Sequence, residues 1–145
     1  SWDSRLGQHP DRTLVPGVEI GSGSLGHGLP IAVGLALALR LRAGSDQTSP
    51  RVFCLLGDAE LEEGSNHEAI AFAGRRGLDR LTAIVIDNRS ASQGWPGGIA
   101  TRFDVEGWST ATIDGRDHEA IEAALSTPHP GTPHAVVAVV EPKGT

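Results

Sequence analysis

Three short apolar segments, separated by longer helical segments, constrain the fold of this chain more than any other feature. They lie at 51–56 (RVFCLL), 81–87 (LTAIVID) and 135–140 (AVVAVV). The first segment does not alternate apolar and polar residues, which predicts a strand buried on both faces. Strands that alternate with helices form βαβ units, so the pattern predicts an α/β fold with a doubly wound, mostly parallel sheet.

Helices are predicted before and between these strands. Residues 24–43 are almost wholly apolar as far as Leu39. This predicts a helix that starts near Leu29 and is buried on all sides, against a partner or another segment. The remaining predictions are a helix at 62–77, a long loop at 88–104, a short strand at 107–114 and a helix at 117–126.

Composition limits the classes of function. The 145 residues suit a single domain, 1–145. With 12 basic and 18 acidic residues the net charge is 12 − 18 = −6, which argues against nucleic-acid binding. The sequence shows no apolar run long enough to span a membrane and no signal-peptide pattern at its start. Cys54 is the single cysteine and lies in an apolar segment, which predicts an inert buried thiol and a cytoplasmic location.

Polar residues follow two of the predicted strands at the point where each strand ends. Gly57 and Asp58 follow the first strand, and Asn88 follows the second. Because the carboxyl ends of parallel strands meet at one edge of a sheet, we expect these side chains to lie close together. Carboxylate and amide oxygens suit magnesium, which is often shared with substrate phosphates, and a following helix N-terminus favours an anion. The sequence therefore predicts a metal and phosphate site at this edge.

Each of these residues also has an ordinary structural interpretation. Asp58 could be a helix N-cap, and Asn88 could be a turn residue. Glu60 and Glu62 are interpreted as a solvated face favoured by a helix N-terminus. Four histidines are assigned to surface or turn positions, the last of them at the start of a strand: His67, His118, His129, His134.

Several motifs follow one another in order along the chain. The segment GDA at 57–59, followed by Asp87-Asn88, resembles the thiamine diphosphate motif. The upstream stretch GQHPDRTLVPGVEIGSGSLGHGLPIAVGLALA is similar to transketolases, above all to the amino-terminal subunit of two-chain forms. The segments DGRDHEAIEAAL and VVAVVEPKGT resemble the end of the same domain, so the resemblance covers nearly the whole chain.

The resemblance implies a thiamine-diphosphate-binding fold and a set of cofactor residues. Asp58 and Asn88 would bind magnesium (or calcium) through their side chains, and Ser90 would bind it through its backbone carbonyl. The remaining cofactor residues that it implies are Gly57 and Ala59 at the diphosphate, and Gly23 and Leu25 at the aminopyrimidine.

The resemblance also implies a substrate residue and a partner. His9 would contact the sugar substrate near the reacting carbon. Glu63, counted with the cofactor residues, and Glu68 would lie at an interface and connect to a catalytic glutamate of a pyrimidine-binding subunit. The implied activity is transfer of a two-carbon ketol unit between sugars, such as ketose phosphates, by an oligomer that includes this second chain.

Two departures from the family keep other functions open. Ala59 stands where the motif has a second glycine, and a left-handed backbone there would cost on the order of 1 kcal/mol. The resemblance also implies that the usual amino-terminal segment is missing from this sequence. The alternatives are a non-catalytic or regulatory homologue, or another thiamine diphosphate enzyme such as a 1-deoxyxylulose-phosphate-synthase-like activity.

Overall fold

Four parallel strands form one sheet in the computed structural model, which describes residues 9–43 and 50–142. The strands are β1 (Val52–Gly57), β2 (Leu81–Asp87), β3 (Ser109–Asp114) and β4 (His134–Val139). They lie in the order β1-β2-β4-β3, so β1 and β3 are the edge strands. Adjacent strands β1 and β2 pair in register from Val52 opposite Leu81 to Gly57 opposite Ile86. The predicted α/β fold with a parallel sheet is confirmed.

Within the described residues, four α-helices and a short 3-10 helix accompany the sheet. Local signals explain their limits. The Asp117 side chain accepts hydrogen bonds from the first turn of the last helix, and Gly77 ends the second helix in a left-handed conformation. The helices are α1 (Gly28–Ala43), the 3-10 helix (Ala59–Glu62), α2 (Gly64–Arg76), α3 (Ile99–Asp104) and α4 (His118–Ser126).

The main core lies between one face of the sheet and helices α1, α2 and α3. Cys54 and Val85 are among the strand residues that contribute to it. At its far end Phe103 and Trp108 pack edge to face with ring centroids 5.0 Å apart, and the Trp108 indole N–H donates to the carbonyl of Ile70 at 2.9 Å. Helix α3 lies within 88–104, so the prediction of a loop throughout that stretch was wrong.

The opposite face of the sheet is covered unevenly. Helix α4 contacts β3 and β4, where Val136 is fully buried. Over β1, Phe53 and Leu55 are 49% and 67% exposed. The prediction that this strand is buried on both faces was therefore wrong. An apolar segment shows only that its residues are hydrophobic, and among the described residues only one face of β1 is covered. Helix α1 likewise exposes the apolar side chains of Ile31 and Leu35. Within the described ranges no helix has the length and apolarity of a membrane span.

Two of the histidines assigned to surface or turn positions, His129 and His134, are buried at the amino end of the sheet, and His134 begins β4 as predicted. His129 and His134 stack with ring centroids 4.9 Å apart and an interplanar angle of 18°, and His134 is 2% exposed. Its Nδ1 lies 3.1 Å from the Ser109 carbonyl oxygen, and its Nε2 is buried without a hydrogen bond. Burial, and next the charge of His129, lower the pKa of His134.

Candidate cofactor site

The ends of β1 and β2 lie side by side. The backbone N–H of Asp58, directly after β1, donates to the carbonyl of Ile86 in β2 at 3.1 Å. Asn88 follows β2 directly. The two predicted ligands, which are 30 positions apart in the sequence, therefore lie together at the carboxyl end of the sheet.

Asp58 is 1% exposed, and its carboxylate accepts four hydrogen bonds. Its Oδ1 accepts from the backbone N–H of Ala59 at 2.9 Å and from the hydroxyl of Ser90 at 2.5 Å. Its Oδ2 accepts from the backbone N–H groups of Ser90 and Ala91 at 2.8 and 3.1 Å. Asp58 is thus an N-cap of the 3-10 helix, as one interpretation held, and it also anchors the loop after β2.

The Asn88 side chain converges on the same point. Its Oδ1 accepts from the backbone N–H of Ser90 at 3.2 Å, the group that also donates to Asp58. Arg89 between them has φ +55°, and the Asp87 carboxylate accepts its backbone N–H at 3.2 Å. This left-handed residue turns the chain so that the following N–H groups face Asp58. A carboxylate and an amide oxygen therefore lie around a single backbone N–H.

The backbone at Ala59 is not strained. Ala59 begins the 3-10 helix after Asp58, whose φ and ψ are −61° and −40°. Arg89 is the non-glycine residue with positive φ in the described ranges. The cost expected if Ala59 were left-handed therefore does not arise. At Gly57 an added Cβ would meet no atom within 4 Å, so the space beside this strand end is open.

Glu60 ties an upstream loop, residues 21–27, to this strand end. One of its carboxylate oxygens accepts from the backbone N–H of Gly26 at 3.2 Å, and the Ser65 hydroxyl donates to the Gly26 carbonyl at 2.6 Å. Gly26 has φ +81°, and a Cβ there would lie 2.7 Å from the Cβ of Glu63. Glu60 is half-buried and has a partner 34 positions earlier in the sequence, so its interpretation as part of a solvated face describes only part of its surroundings.

Glu62 holds the loop after β2 in a similar way. Its carboxylate accepts from the backbone N–H of Gln93 at 2.5 Å and from the hydroxyl of Ser92 at 2.8 Å. These bonds, that from Gln93 first, lower the pKa of Glu62. Both hydrogen bonds lie at the solvent-exposed surface, so Glu62 is part of a solvated face as predicted, and it also holds this loop. The loop that carries Ser90 is therefore held at two places, by Asp58 and by Glu62.

The other predicted residues lie around the 21–27 loop and the start of α2. The ring of His9 packs on Gly23, where an added Cβ would lie 2.7 Å from His9 Nε2. Leu25 is 56% exposed despite its apolar side chain. Glu63 precedes α2, is exposed and makes no capping hydrogen bond, and Glu68 is also exposed. No sequence motif indicated that Glu60 and Glu62 anchor loops.

The residues present fit a magnesium diphosphate group. The described residues contain no cluster of three or more His, Cys, Asp or Glu side chains that could hold a metal alone. Asp58 and Asn88 offer hard oxygens, and magnesium commonly completes such a set with phosphate oxygens. The open space at Gly57 leaves room for the phosphates to approach the backbone.

The molecule is an α/β domain with polar side chains beyond the carboxyl ends of its parallel strands, the position at which folds of this class bind ligands. Residues 1–139 match the family model described as "Transketolase, thiamine diphosphate binding domain". The chain belongs to the transketolase family.

Curated relatives and solved structures agree with this assignment. The chain is 59% identical over 138 residues to "Ferredoxin fas2" of Rhodococcoides fascians, covering 95% of this chain and 44% of that protein. It is 37% identical over 143 residues to one of the named subunits of the apulose-4-phosphate transketolase of Actinobacillus succinogenes, covering 94% and 50%. The crystal structure of Campylobacter jejuni transketolase superposes with a TM-score of 0.74 at 32% identity, over 90% of this chain and 22% of that one. The chain thus spans half or less of the length of these relatives.

Proposed function

We propose that this chain is the diphosphate-binding component of a two-chain transketolase-like enzyme. It would bind thiamine diphosphate with magnesium and transfer a two-carbon ketol unit between sugars. The observation that carries the proposal is the convergence of the Asp58 and Asn88 oxygens on the backbone N–H of Ser90, at 2.8 and 3.2 Å. In parallel α/β sheets, ligands bind beyond the carboxyl ends of the strands, which is where these residues lie.

Each residue of the site has a distinct part in this proposal. Asp58 and Asn88 would hold the cation with their side chains, and Ser90 with its backbone carbonyl. Gly57 and Ala59 would lie along the diphosphate, and Leu25 would give the aminopyrimidine an apolar contact. When bound, thiamine diphosphate supplies the carbon nucleophile that takes up the two-carbon unit.

The 21–27 loop and α2 would place the substrate and the partner. His9 packs on Gly23, so a change at either residue would move the other, and His9 would contact the sugar substrate. Glu63 and Glu68 are exposed and free to meet a pyrimidine-binding subunit that supplies the catalytic glutamate. The apulose-4-phosphate transketolase relative is itself named as one subunit of its enzyme, which supports a two-chain arrangement.

Two other functions receive less support. The alternative of a non-catalytic homologue rested partly on strain at Ala59, and its backbone lies in an unstrained 3-10 helix. The name of another relative is ferredoxin, but iron–sulfur clusters are held by four cysteine thiolates. This chain has one cysteine, Cys54, which is buried. Burial raises the pKa of its thiol to about 12.

The test is calorimetric titration of thiamine diphosphate, with and without magnesium, into the chain co-expressed with a pyrimidine-binding transketolase subunit. We expect magnesium-dependent binding, with a loss of at least roughly 100-fold in Asp58→Asn, since a buried charged ligand is removed. Asp114→Asn is the matched control. Asp114 ends the distant edge strand β3, and its carboxylate also accepts a backbone N–H two residues on, from Arg116 at 2.9 Å.

An equal loss of thiamine diphosphate affinity in both variants would contradict the proposed site. Binding that depends neither on magnesium nor on Asp58 would also contradict it. Ketol transfer from a ketose phosphate to an aldose by the two-chain enzyme then tests the reaction itself. Release of the two-carbon unit to no acceptor, or absence of turnover with intact cofactor binding, would favour another activity of the class.

A further inference from the structure

The Ser90 hydroxyl differs in kind from the other groups that donate to Asp58. The remaining three donors are the backbone N–H groups of Ala59, Ser90 and Ala91. These are fixed by the 3-10 helix and by the turn at Arg89. The hydroxyl alone can leave by rotation of a side chain, with no movement of the backbone.

The four donors together fill the Asp58 carboxylate. A carboxylate offers about four lone-pair positions, and here Oδ1 and Oδ2 each accept two hydrogen bonds. A cation that binds Asp58 must therefore displace a donor. The Ser90 hydroxyl, 2.5 Å from Oδ1, is the donor that can be displaced at least cost.

We propose that the Ser90 hydroxyl occupies the position of the cation on Asp58 and is displaced when the cation binds. This inference rests on the proposed function. In the metal-free protein the hydroxyl compensates the carboxylate of a residue that is 1% exposed, because that carboxylate would otherwise lose part of its hydration without replacement. Through its hydroxyl, Ser90 is thus a positioning residue that stabilises the metal-free state and weakens cation binding, whereas its backbone carbonyl would hold the cation.

Displacement leaves the loop in place. The N–H groups of Ser90 and Ala91 remain bonded to Oδ2 of Asp58. Farther along, Ser92 and Gln93 remain bonded to Glu62. The exchange of hydroxyl for cation is therefore a local event, confined to one side-chain torsion.

The test compares Ser90→Ala with wild type in a Mn²⁺ titration followed by electron paramagnetic resonance, at saturating thiamine diphosphate in the two-chain protein. We expect Mn²⁺ to bind roughly tenfold more tightly to Ser90→Ala, because a hydrogen bond to a charged group no longer has to be broken. In EDTA, the same variant should melt at a lower temperature than wild type. Ser90→Thr, which retains the hydroxyl, should resemble wild type in both measurements.

Ser92→Ala is the matched control, since it removes a hydroxyl that donates to Glu62 in the same loop. It should leave the affinity for Mn²⁺ within a factor of about two of wild type. Equal or weaker Mn²⁺ binding by Ser90→Ala, or an unchanged melting temperature in EDTA, would overturn the inference and leave the proposed function standing. Absence of both Mn²⁺ and thiamine diphosphate binding in wild type would overturn the two together.

Discussion

The two ends of the parallel sheet each bury a titratable side chain, but they treat it in opposite ways. At the carboxyl end Asp58 accepts four hydrogen bonds, three of them from backbone N–H groups. At the amino end His134 stacks on His129, and its Nε2 has no hydrogen bond. The first arrangement surrounds a carboxylate with hydrogen-bond donors, and the second favours a neutral ring.

The two ends thus differ in how many polar groups surround the buried side chain. At the carboxyl end, two loops lie around one carboxylate. Arg89 is left-handed in one of them, and each loop is held by a hydrogen bond to a glutamate. At the amino end, His134 is buried as the first residue of β4, beside Ser109 of β3. The chemistry of the molecule is therefore expected at the carboxyl end, and the acid sensitivity of its fold at the amino end.

Gly26→Ala should break the carboxyl end most severely. Gly26 has φ +81°, and an added Cβ would lie 2.6 Å from the Ser65 hydroxyl and 2.7 Å from the Glu63 Cβ. We expect a loss of about 2–4 kcal/mol in the free energy of unfolding, from backbone strain together with overpacking. Urea denaturation followed by circular dichroism measures it.

Gly34→Ala is the control for this substitution. Gly34 lies inside α1, and an added Cβ there would meet no atom within 4 Å. This variant should gain up to about 1 kcal/mol from helix propensity. If both substitutions changed the free energy of unfolding equally, the inference that the 21–27 loop packs tightly on α2 would be contradicted.

Acid should destabilise the amino end through His134. Its pKa in the folded state is lowered, by burial first and then by the charges of His129 and Arg51, while the carbonyls of Ser109 and Ala124 act in the opposite direction. The stability that the neutral ring contributes is therefore complete above the unfolded-state pKa of about 6.5 and is lost as the pH falls below it.

We expect His134→Asn to flatten the fall of unfolding free energy between pH 7 and pH 5. His118→Asn, at the exposed first residue of α4, should keep the slope of wild type. A slope that is equal in all three proteins would show that the amino end does not respond to acid through this histidine.

The turn at Arg89 should give the smallest effect. Because φ is +55°, a β-branched residue is disfavoured there, and Arg89→Val should lose about 1–2 kcal/mol of unfolding free energy. Arg89→Gly should stay within roughly 1 kcal/mol of wild type, since relief of the left-handed strain offsets the greater freedom of the unfolded chain. Thermal melts measure this difference: Arg89→Gly should have a higher melting temperature than Arg89→Val. The opposite order would contradict backbone strain at Arg89.

The sequence was sufficient for the strands and for the juxtaposition of Asp58 with Asn88. Apolar segments separated by helical ones specify a parallel sheet, and a parallel sheet brings successive strand ends to one edge. The strand limits at 52–57, 81–87 and 134–139 differ from the predicted ones by one residue at most.

The loop contacts could not be read in the same way. Glu60 and Glu62 bind groups 34 and 31 positions away, and no local pattern encodes such pairs. Helix α3 was missed because it has six residues and follows the glycine-rich stretch GWPGG. The exposure of Phe53 and Leu55 depends on which elements cover β1, which hydrophobicity alone does not indicate.

The most direct test of the central claim is a crystal structure of the two-chain protein with thiamine diphosphate and Mn²⁺. We expect an anomalous peak at roughly 2.0–2.3 Å from oxygens of both Asp58 and Asn88, with diphosphate oxygens completing the coordination. An anomalous peak that is not beside Asp58 and Asn88, or a diphosphate bound away from the carboxyl ends of β1 and β2, would contradict the account.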